Sequence, residues 1–83
     1  MKPTVGRIVH FYNKSLVDQR EYNGVALNGQ GAGPYPALVL QVIGTYVNLL
    51  VFAWGGNWVE GSVSEENTVT GGRYWCWPPR EEG

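Results

Sequence analysis

Hydrophobic residues recur at every second position in several short stretches of this chain, the period of a β-strand with two distinct faces. In the opening stretch, Val9 and Phe11 alternate with Ile8 and Tyr12. This alternation, or a nearly continuous run of β-branched and other apolar residues, predicts strands at 4–12, 36–43, 46–54, 58–64 and 73–77. The predicted core contains Val9, Leu38, Leu40, Val42, Leu49, Val51 and Val63.

The segments between these strands differ strongly in length. Gly44-Thr45 predicts a tight turn, and Gly55-Gly56 predicts a two-residue hairpin turn of the primed type, which requires positive φ angles. The segment 13–35 is rich in Asn and Gly and predicts a long loop, in which a helical turn over 15–20 is only weakly indicated. Loops of this length are uncommon in compact domains and are often functional.

The order of these connections indicates the fold class. A long loop, two tight turns and a medium loop follow one another, which predicts an all-β chain: a small five-stranded SH3-like barrel with a long first loop. A barrel of the oligonucleotide-binding type usually has a helix between its third and fourth strands, and Gly55-Gly56 leaves no room for one. We interpret residues 1–83 as a single domain, with the barrel at about 4–78 and a polar tail at 79–83.

Composition and charge disfavour several classes of function. The 83 residues include six Lys and Arg against seven Asp and Glu, a net charge of −1, which argues against a nucleic-acid binder that depends on many phosphate contacts. The single cysteine cannot form an intrachain disulfide. Neither a signal peptide nor a sufficiently apolar span is seen, so we expect a cytoplasmic protein with no membrane association.

No combination of residues is typical of catalysis or of metal binding. His10 and Cys76 are the only histidine and cysteine, so one chain cannot build a zinc site of the usual four-ligand kind. Their strands can be neighbours in such a barrel, but nucleophilic catalysis by this pair is the minor interpretation. Cys76 alternates with Trp75 and Trp77 and is predicted to be a buried, unreactive thiol between two indoles. We expect neither enzyme activity nor a cofactor.

Aromatic side chains are the positive functional signal. Four Trp, five Tyr and two Phe are more large rings than the interior of so small a barrel encloses. Each ring taken singly is more often a core residue than a ligand contact. The surplus must lie on the surface, where aromatic patches mark interfaces. Self-association is the simplest such interface and a ligand pocket between subunits is the next, so we expect a homo-oligomer.

The last predicted strand and the long loop supply a candidate site for a small anionic ligand. Alternation places Arg73, Trp75 and Trp77 on one face of the strand. A guanidinium group binds phosphate while a ring stacks on a base, so no large basic patch is needed. The predicted ligand-binding residues are Arg73, Arg80, Trp75, Trp77, Tyr22, Tyr35 and Arg20. At least one of the four rings should be exposed, and Arg73→Ala should weaken binding without lowering thermal stability.

Four segments carry a resemblance to a group of known proteins. The opening PTVGRIVHFY, the middle YPALVLQV, the strand VNLLVF and the closing GRYWCWPPR together resemble small bacteriophage and prophage proteins, mostly of unassigned function. Some families of small phage proteins bind, without cleaving, the nucleotide signals of bacterial immunity, such as cyclic dinucleotides. The chain is similar to these families in size, in its lack of catalytic groups and in its arginine and aromatic content. The similarity implies sequestration of a cyclic nucleotide signal in the host cytoplasm.

Two other classes of function stay open. SH3-like barrels often bind peptides on an aromatic surface beside their first loop, and a protein-interaction module of this kind would use Tyr12, Tyr35 and Trp58. A structural or nucleic-acid-binding accessory is the third class, and the near-neutral charge disfavours it.

Overall fold

The computed structural model describes residues 2–66 and 72–79, which form a five-stranded antiparallel sheet and a small separate hairpin. The strands are β1 (Ile8–Asn13), β2 (Glu21–Tyr22), β3 (Val25–Ala26), β4 (Tyr35–Ile43), β5 (Tyr46–Ala53), β6 (Gly56–Ser64) and β7 (Arg73–Cys76). A 3-10 turn over Lys14–Leu16 follows β1 directly. The order across the large sheet is β6-β5-β4-β1-β7, and β2 pairs with β3.

The predicted fold class is confirmed: the chain is all-β, with a small five-stranded barrel-like sheet and a long first loop. All five predicted strands are present, although the first begins at Ile8 rather than near residue 4. The strands β4, β5 and β6 form a meander, and β7 returns to pair with β1, so the sheet curls into a half-barrel. Of the predicted tail, residues 80–83 lie outside the described residues.

The core lies on the inner face of this half-barrel. Its largest fully buried side chains are Trp75, Tyr35 and Phe11, which project from three adjacent strands. The predicted core residues Val9, Leu49, Val51 and Val63 are all buried.

The core prediction is wrong for β4. Leu38 is only half-buried, and Leu40 and Val42 are exposed by 40% and 39%, whereas Ala37 and Val39 are fully buried. Alternation separates the two faces of a strand, but it does not say which face is inside when both are apolar. Val42 lies beyond a register shift that follows Val39, close to the end of the strand.

The turn between β5 and β6 lies one residue earlier than predicted. Ala53 and Gly56 are opposite each other in the register, so the two turn residues are Trp54 and Gly55 rather than Gly55-Gly56. The long loop fixes this position, because the Gly55 N–H donates to the Ala26 carbonyl oxygen at 2.9 Å. As a turn residue, Trp54 leaves its side chain 72% exposed.

The long loop between β1 and β4 is packed onto the barrel. It contributes Leu16, Val25 and Leu27 to the core. Both of its Asn-Gly dipeptides adopt positive φ angles, Asn23-Gly24 between β2 and β3 and Asn28-Gly29 in the next turn, as type I′ turns require. The predicted loop did not include the β2–β3 hairpin. The weakly indicated helical turn over 15–20 is observed as a shorter 3-10 turn that begins one residue earlier, at Lys14–Leu16.

Two contacts join the edge strands of the half-barrel. Arg73 Nη1 of β7 lies 2.6 Å from Glu60 Oε1 of β6. Glu65, just after β6, forms an isolated parallel bridge with Trp75. These contacts hold the two edge strands of the half-barrel, β6 and β7, close to each other.

Candidate functional site

A groove between the long loop and the β5–β6 turn is the candidate functional site. Its volume is about 500 Å³. We call it the Arg20–Trp54 groove. It is lined by Val17, Asp18, Gln19, Arg20, Ala26, Asn28, Gly29 and Trp54. The lining therefore combines one cation, one carboxylate and two side-chain amides with a large exposed ring.

Local hydrogen bonds direct the first half of the long loop along this groove. The Asn13 side-chain oxygen accepts from the Ser15 backbone N–H at 3.1 Å and from the Ser15 hydroxyl at 2.7 Å, which caps the 3-10 turn. Leu16, which ends that turn, is buried and anchors the loop. The Leu27 N–H then donates to the Arg20 carbonyl oxygen at 2.9 Å. The backbone of Arg20 is therefore fixed while its side chain stays exposed.

The opposite wall of the groove is fixed by the β5–β6 turn. The Trp54 N–H donates to Gln30 Oε1 at 2.7 Å, and the neighbouring Gly55 packs directly on Ala26. A Cβ atom at Gly55 would lie 2.7 Å from both the Cβ and the carbonyl oxygen of Ala26, closer than real Cβ atoms come. The contact therefore requires glycine, and it holds the Trp54 backbone while leaving the indole ring accessible.

The side chains of the groove suit a ligand with a negative charge and a planar ring. Among the described residues, none forms an ion pair or hydrogen bond with the Arg20 guanidinium, so its five N–H donors are available to an anion. The Trp54 ring is available for stacking. Asp18, Gln19 and Asn28 add acceptors and donors for hydroxyl or amino groups.

Arg73, the first residue of the predicted site, lies outside the groove and is already paired. Its partner Glu60 is only 4% exposed and also accepts a hydrogen bond from Trp58 Nε1 at 2.8 Å. Because the guanidinium compensates a buried carboxylate, it does not offer an uncompensated charge to a phosphate. The sequence alone predicts that Arg73→Ala leaves thermal stability nearly unchanged, whereas this pairing predicts that the substitution lowers it.

The other predicted site residues are spread over the barrel. Trp75 and Tyr35 are fully buried, and Tyr22 and Trp77 are half-buried. Contrary to expectation, none of these four rings is largely exposed, because Trp75 and Tyr35 belong to the core and Tyr22 and Trp77 pack against it with part of each ring still accessible. Arg80 lies outside the described residues. Of the predicted residues that are described, Arg20 is the one that lines the Arg20–Trp54 groove.

The aromatic residues considered for peptide binding are largely internal. Trp58 is buried and makes edge-to-face contacts with Tyr22 and Tyr35, with ring centroids 5.3 Å and 5.5 Å away. Burial, followed by the nearby Glu60, raises the pKa of Tyr22, so its hydroxyl stays protonated at neutral pH. Tyr12 is half-buried and stacks on Tyr74. These rings therefore stabilise the barrel.

His10 and Cys76 are directly opposite each other in the register of β1 and β7. Cys76 is half-buried rather than buried, and it does not lie between indoles, because Trp75 points to the inner face and packs edge-to-face on Trp77 at 5.5 Å. Burial, and then the carboxylates of Glu66 and Glu65, raise the pKa of the Cys76 thiol. The thiol is therefore protonated at neutral pH, whereas a nucleophilic cysteine needs a lowered pKa.

A second concavity, of about 280 Å³, lies between the N-terminal segment and the β4–β5 turn. Its lining includes Lys2, Glu65 and the buried Trp75. It offers no guanidinium group and no exposed ring, so it is a poorer match to an aromatic anion than the Arg20–Trp54 groove.

Comparison with known proteins identifies no relative: no protein-family model, no curated protein and no solved structure matches this chain. In the part of the chain that the structure describes, no helix is long and apolar enough to cross a membrane. In the same part, no three His, Cys, Asp or Glu side chains come together as a metal site would require.

Proposed function

We propose that this chain is a non-catalytic binding protein that captures a small ligand with a negative charge and a planar ring, such as a nucleotide, in the Arg20–Trp54 groove. The observation that supports this proposal most directly is the combination of two features in one groove. The Trp54 side chain is 72% exposed, and the Arg20 guanidinium has no ion-pair partner among the described residues.

Charge in the groove favours a ligand of low negative charge. Arg20 and Asp18 both line it, so the carboxylate offsets part of the positive potential that a polyanion would need. A cyclic nucleotide carries one negative charge per phosphate and presents a base for Trp54 and ribose hydroxyls for Asp18 or Asn28. A nucleoside triphosphate would instead bring several charges to a single guanidinium.

The wider proposal is that the protein is phage-encoded and works as a homo-oligomer in the host cytoplasm. By sequestering a cyclic nucleotide immune signal, it would block the host's anti-phage defence. This setting is carried over from the resemblance of the PTVGRIVHFY and GRYWCWPPR segments alone, since the comparisons add no relative to it. The alternative function, a module that binds a host or phage protein through an aromatic surface, has less support because Tyr35 and Trp58 are buried.

Isothermal titration calorimetry against cyclic mononucleotides and cyclic dinucleotides tests the proposal. Stacking on a base contributes about 1–3 kcal/mol, so Trp54→Ala should weaken binding by about 5- to 150-fold. Arg20→Gln removes a hydrogen bond to a charged group, which is worth about 1.5–3 kcal/mol, and should weaken binding by about 10- to 150-fold.

The matched controls are Tyr46→Ala and Lys14→Gln. Tyr46 is an exposed ring and Lys14 an exposed cation, and neither lines the groove. Both controls should bind as the parent does. The proposal fails if folded protein gives no heat with any member of the panel, or if the controls weaken binding as much as the groove variants do.

A further inference from the structure

Two opposite charges line the Arg20–Trp54 groove without pairing with each other. Asp18 and Arg20 are separated by one residue, and both side chains are exposed. Among the described residues, none forms an ion pair or hydrogen bond with the Asp18 carboxylate, Arg20 included. The carboxylate therefore offers two acceptor oxygens to a ligand in the groove, just as the guanidinium offers donors.

A hydrogen-bonded turn holds Asp18 in place. Leu16 is buried, and its carbonyl oxygen accepts from the Gln19 N–H at 3.1 Å. Val17 has φ and ψ angles of −55° and −37°, the values of the second residue in a type I turn, so Asp18 is the third residue of that turn. The turn packs on the second half of the long loop, because a Cβ at Gly31 would lie 3.6 Å from the Val17 carbonyl oxygen. The backbone that carries the carboxylate is therefore anchored on both sides.

The composition of the groove matches a single nucleotide unit. One guanidinium and one largely exposed ring line it, which provides for one phosphate and one base. Its volume of about 500 Å³ is that of a site for one small ligand. When Arg20 binds the phosphate and Trp54 stacks on the face of the base, the parts of the ligand left for Asp18 are the edge of the base and the ribose. A cyclic mononucleotide has one ribose hydroxyl, a single donor, which uses only one of the two carboxylate oxygens.

We infer that the groove selects guanine among the nucleobases and that Asp18 determines this choice. The inference rests on the proposed function, since it names the base of the ligand in the same groove. The Watson–Crick edge of guanine carries two neighbouring donors, N1–H and the N2 amino group, which match the two oxygens of one carboxylate. Adenine and cytosine have an acceptor nitrogen beside their amino group, so one carboxylate oxygen would face a lone pair. Uracil has a single N–H between two carbonyl groups and is a poorer match still.

The strength of a carboxylate contact decides between Asp18 and the amides of the groove. Gln19 and Asn28 also line it, and a side-chain amide can pair with the donor and the acceptor of adenine. A hydrogen bond to an ionised group is roughly twice as strong as one between neutral groups, so Asp18 should outweigh the amides. Because the Asp18 side chain is exposed, we expect the lower end of the range for charged hydrogen bonds, a preference for guanine over adenine of about tenfold.

Isothermal titration calorimetry with cyclic GMP, cyclic IMP and cyclic AMP tests the inference. Cyclic IMP is cyclic GMP without the N2 amino group, so its affinity should lie between those of the other two. Asp18→Asn removes one of the two acceptor oxygens and should weaken the binding of cyclic GMP by about tenfold. The same variant should strengthen the binding of cyclic AMP by up to about threefold, because it removes a negative charge near the phosphate. A merely structural role of Asp18 would shift both affinities in the same direction.

The matched control is Glu21→Gln, which removes an exposed carboxylate of β2 that does not line the groove. Because distant exposed charges are screened, it should leave all three affinities within about twofold of those of the parent. Equal affinities of the parent for cyclic GMP and cyclic AMP, or weaker binding of both by Asp18→Asn, overturn the guanine inference and leave the proposed function standing. No heat from folded protein with any cyclic nucleotide overturns both.

Discussion

Replacement of Arg73 by Met should destabilise the fold, because it leaves a buried carboxylate without its cation. Glu60 has a side chain only 5% exposed, and its Oε1 lies 2.6 Å from Arg73 Nη1. Breaking a fully buried pair costs about 3–5 kcal/mol, and breaking an exposed pair costs about 0–1 kcal/mol. The Arg73 side chain is 43% exposed, so we expect a loss between these ranges, about 2–3 kcal/mol.

A loss of this size is large for a chain of 83 residues. At about 4–8 °C per kcal/mol for a domain of this length, the Tm should fall by roughly 10–20 °C. Urea denaturation followed by tryptophan fluorescence gives the free energy of unfolding directly.

A double-mutant cycle with Glu60→Gln separates the ion pair from the packing of the Arg73 side chain. Glutamine keeps an oxygen that can accept from Trp58 Nε1, which Glu60 does at 2.8 Å, but it removes the buried charge. In the Glu60→Gln background, Arg73→Met should therefore cost less than about 1 kcal/mol, which corresponds to a coupling energy of at least about 1–2 kcal/mol. Additive losses would mean that the guanidinium stabilises the barrel only by packing. A single-variant loss below about 0.5 kcal/mol would refute the assigned role of the pair.

Two further predictions concern the β5–β6 turn and the thiol. Gly55→Ala forces a Cβ to within 2.7 Å of Ala26 and should lower the free energy of unfolding by about 1–3 kcal/mol. The control Gly61→Ala, whose Cβ would have its nearest neighbour at 3.7 Å, should change the free energy of unfolding by less than about 0.5 kcal/mol. Equal losses for the two variants in urea titrations would contradict the contact assigned to Gly55. The thiol pKa of Cys76 is raised above the ordinary 9.0, so at pH 9.0 Cys76 should react with a thiol reagent more slowly in the folded than in the denatured chain. Glu66→Gln removes one of the carboxylates that raise this pKa and should accelerate the reaction of the folded chain. Equal rates for the folded and denatured chains would count against the raised pKa.

Much of the sheet could be predicted from the sequence, because strand alternation is a local property. The predicted strand at 46–54 is observed as Tyr46–Ala53, for example. What local pattern could not decide was the inner face of β4, where Leu38 and Leu40 look more core-like than Ala37 and Val39. The smaller residues lie inside because the interior also holds the large rings of Tyr35, Phe11 and Trp75. The filling of a barrel depends on all its strands together.

The site was harder to predict than the fold. Arg20 is among the predicted site residues and Trp54 is not, because the Gly55-Gly56 pair predicts a later turn and leaves Trp54 at the end of a strand. The observed position of the turn depends on the contacts of Trp54 with Gln30 and of Gly55 with Ala26, which are far away in sequence. The pairing of Arg73 with Glu60 likewise depends on closure of the half-barrel. The β2–β3 hairpin could have been predicted from Asn23-Gly24, because an Asn-Gly pair between short apolar segments is typical of a hairpin turn.

The position of β1 inside the sheet has a consequence for how the chain folds. β1 lies between β4 and β7, and its pairing with β7 joins His10 to Cys76, residues at nearly opposite ends of the described chain. During synthesis, β4, β5 and β6 can assemble next to β1 before β7 has left the ribosome. Until then one edge of β1 stays open, and Glu60 lacks its cation. Because pairings between residues far apart in sequence slow folding, the docking of β7 onto β1 should be a late and slow step in folding of the barrel.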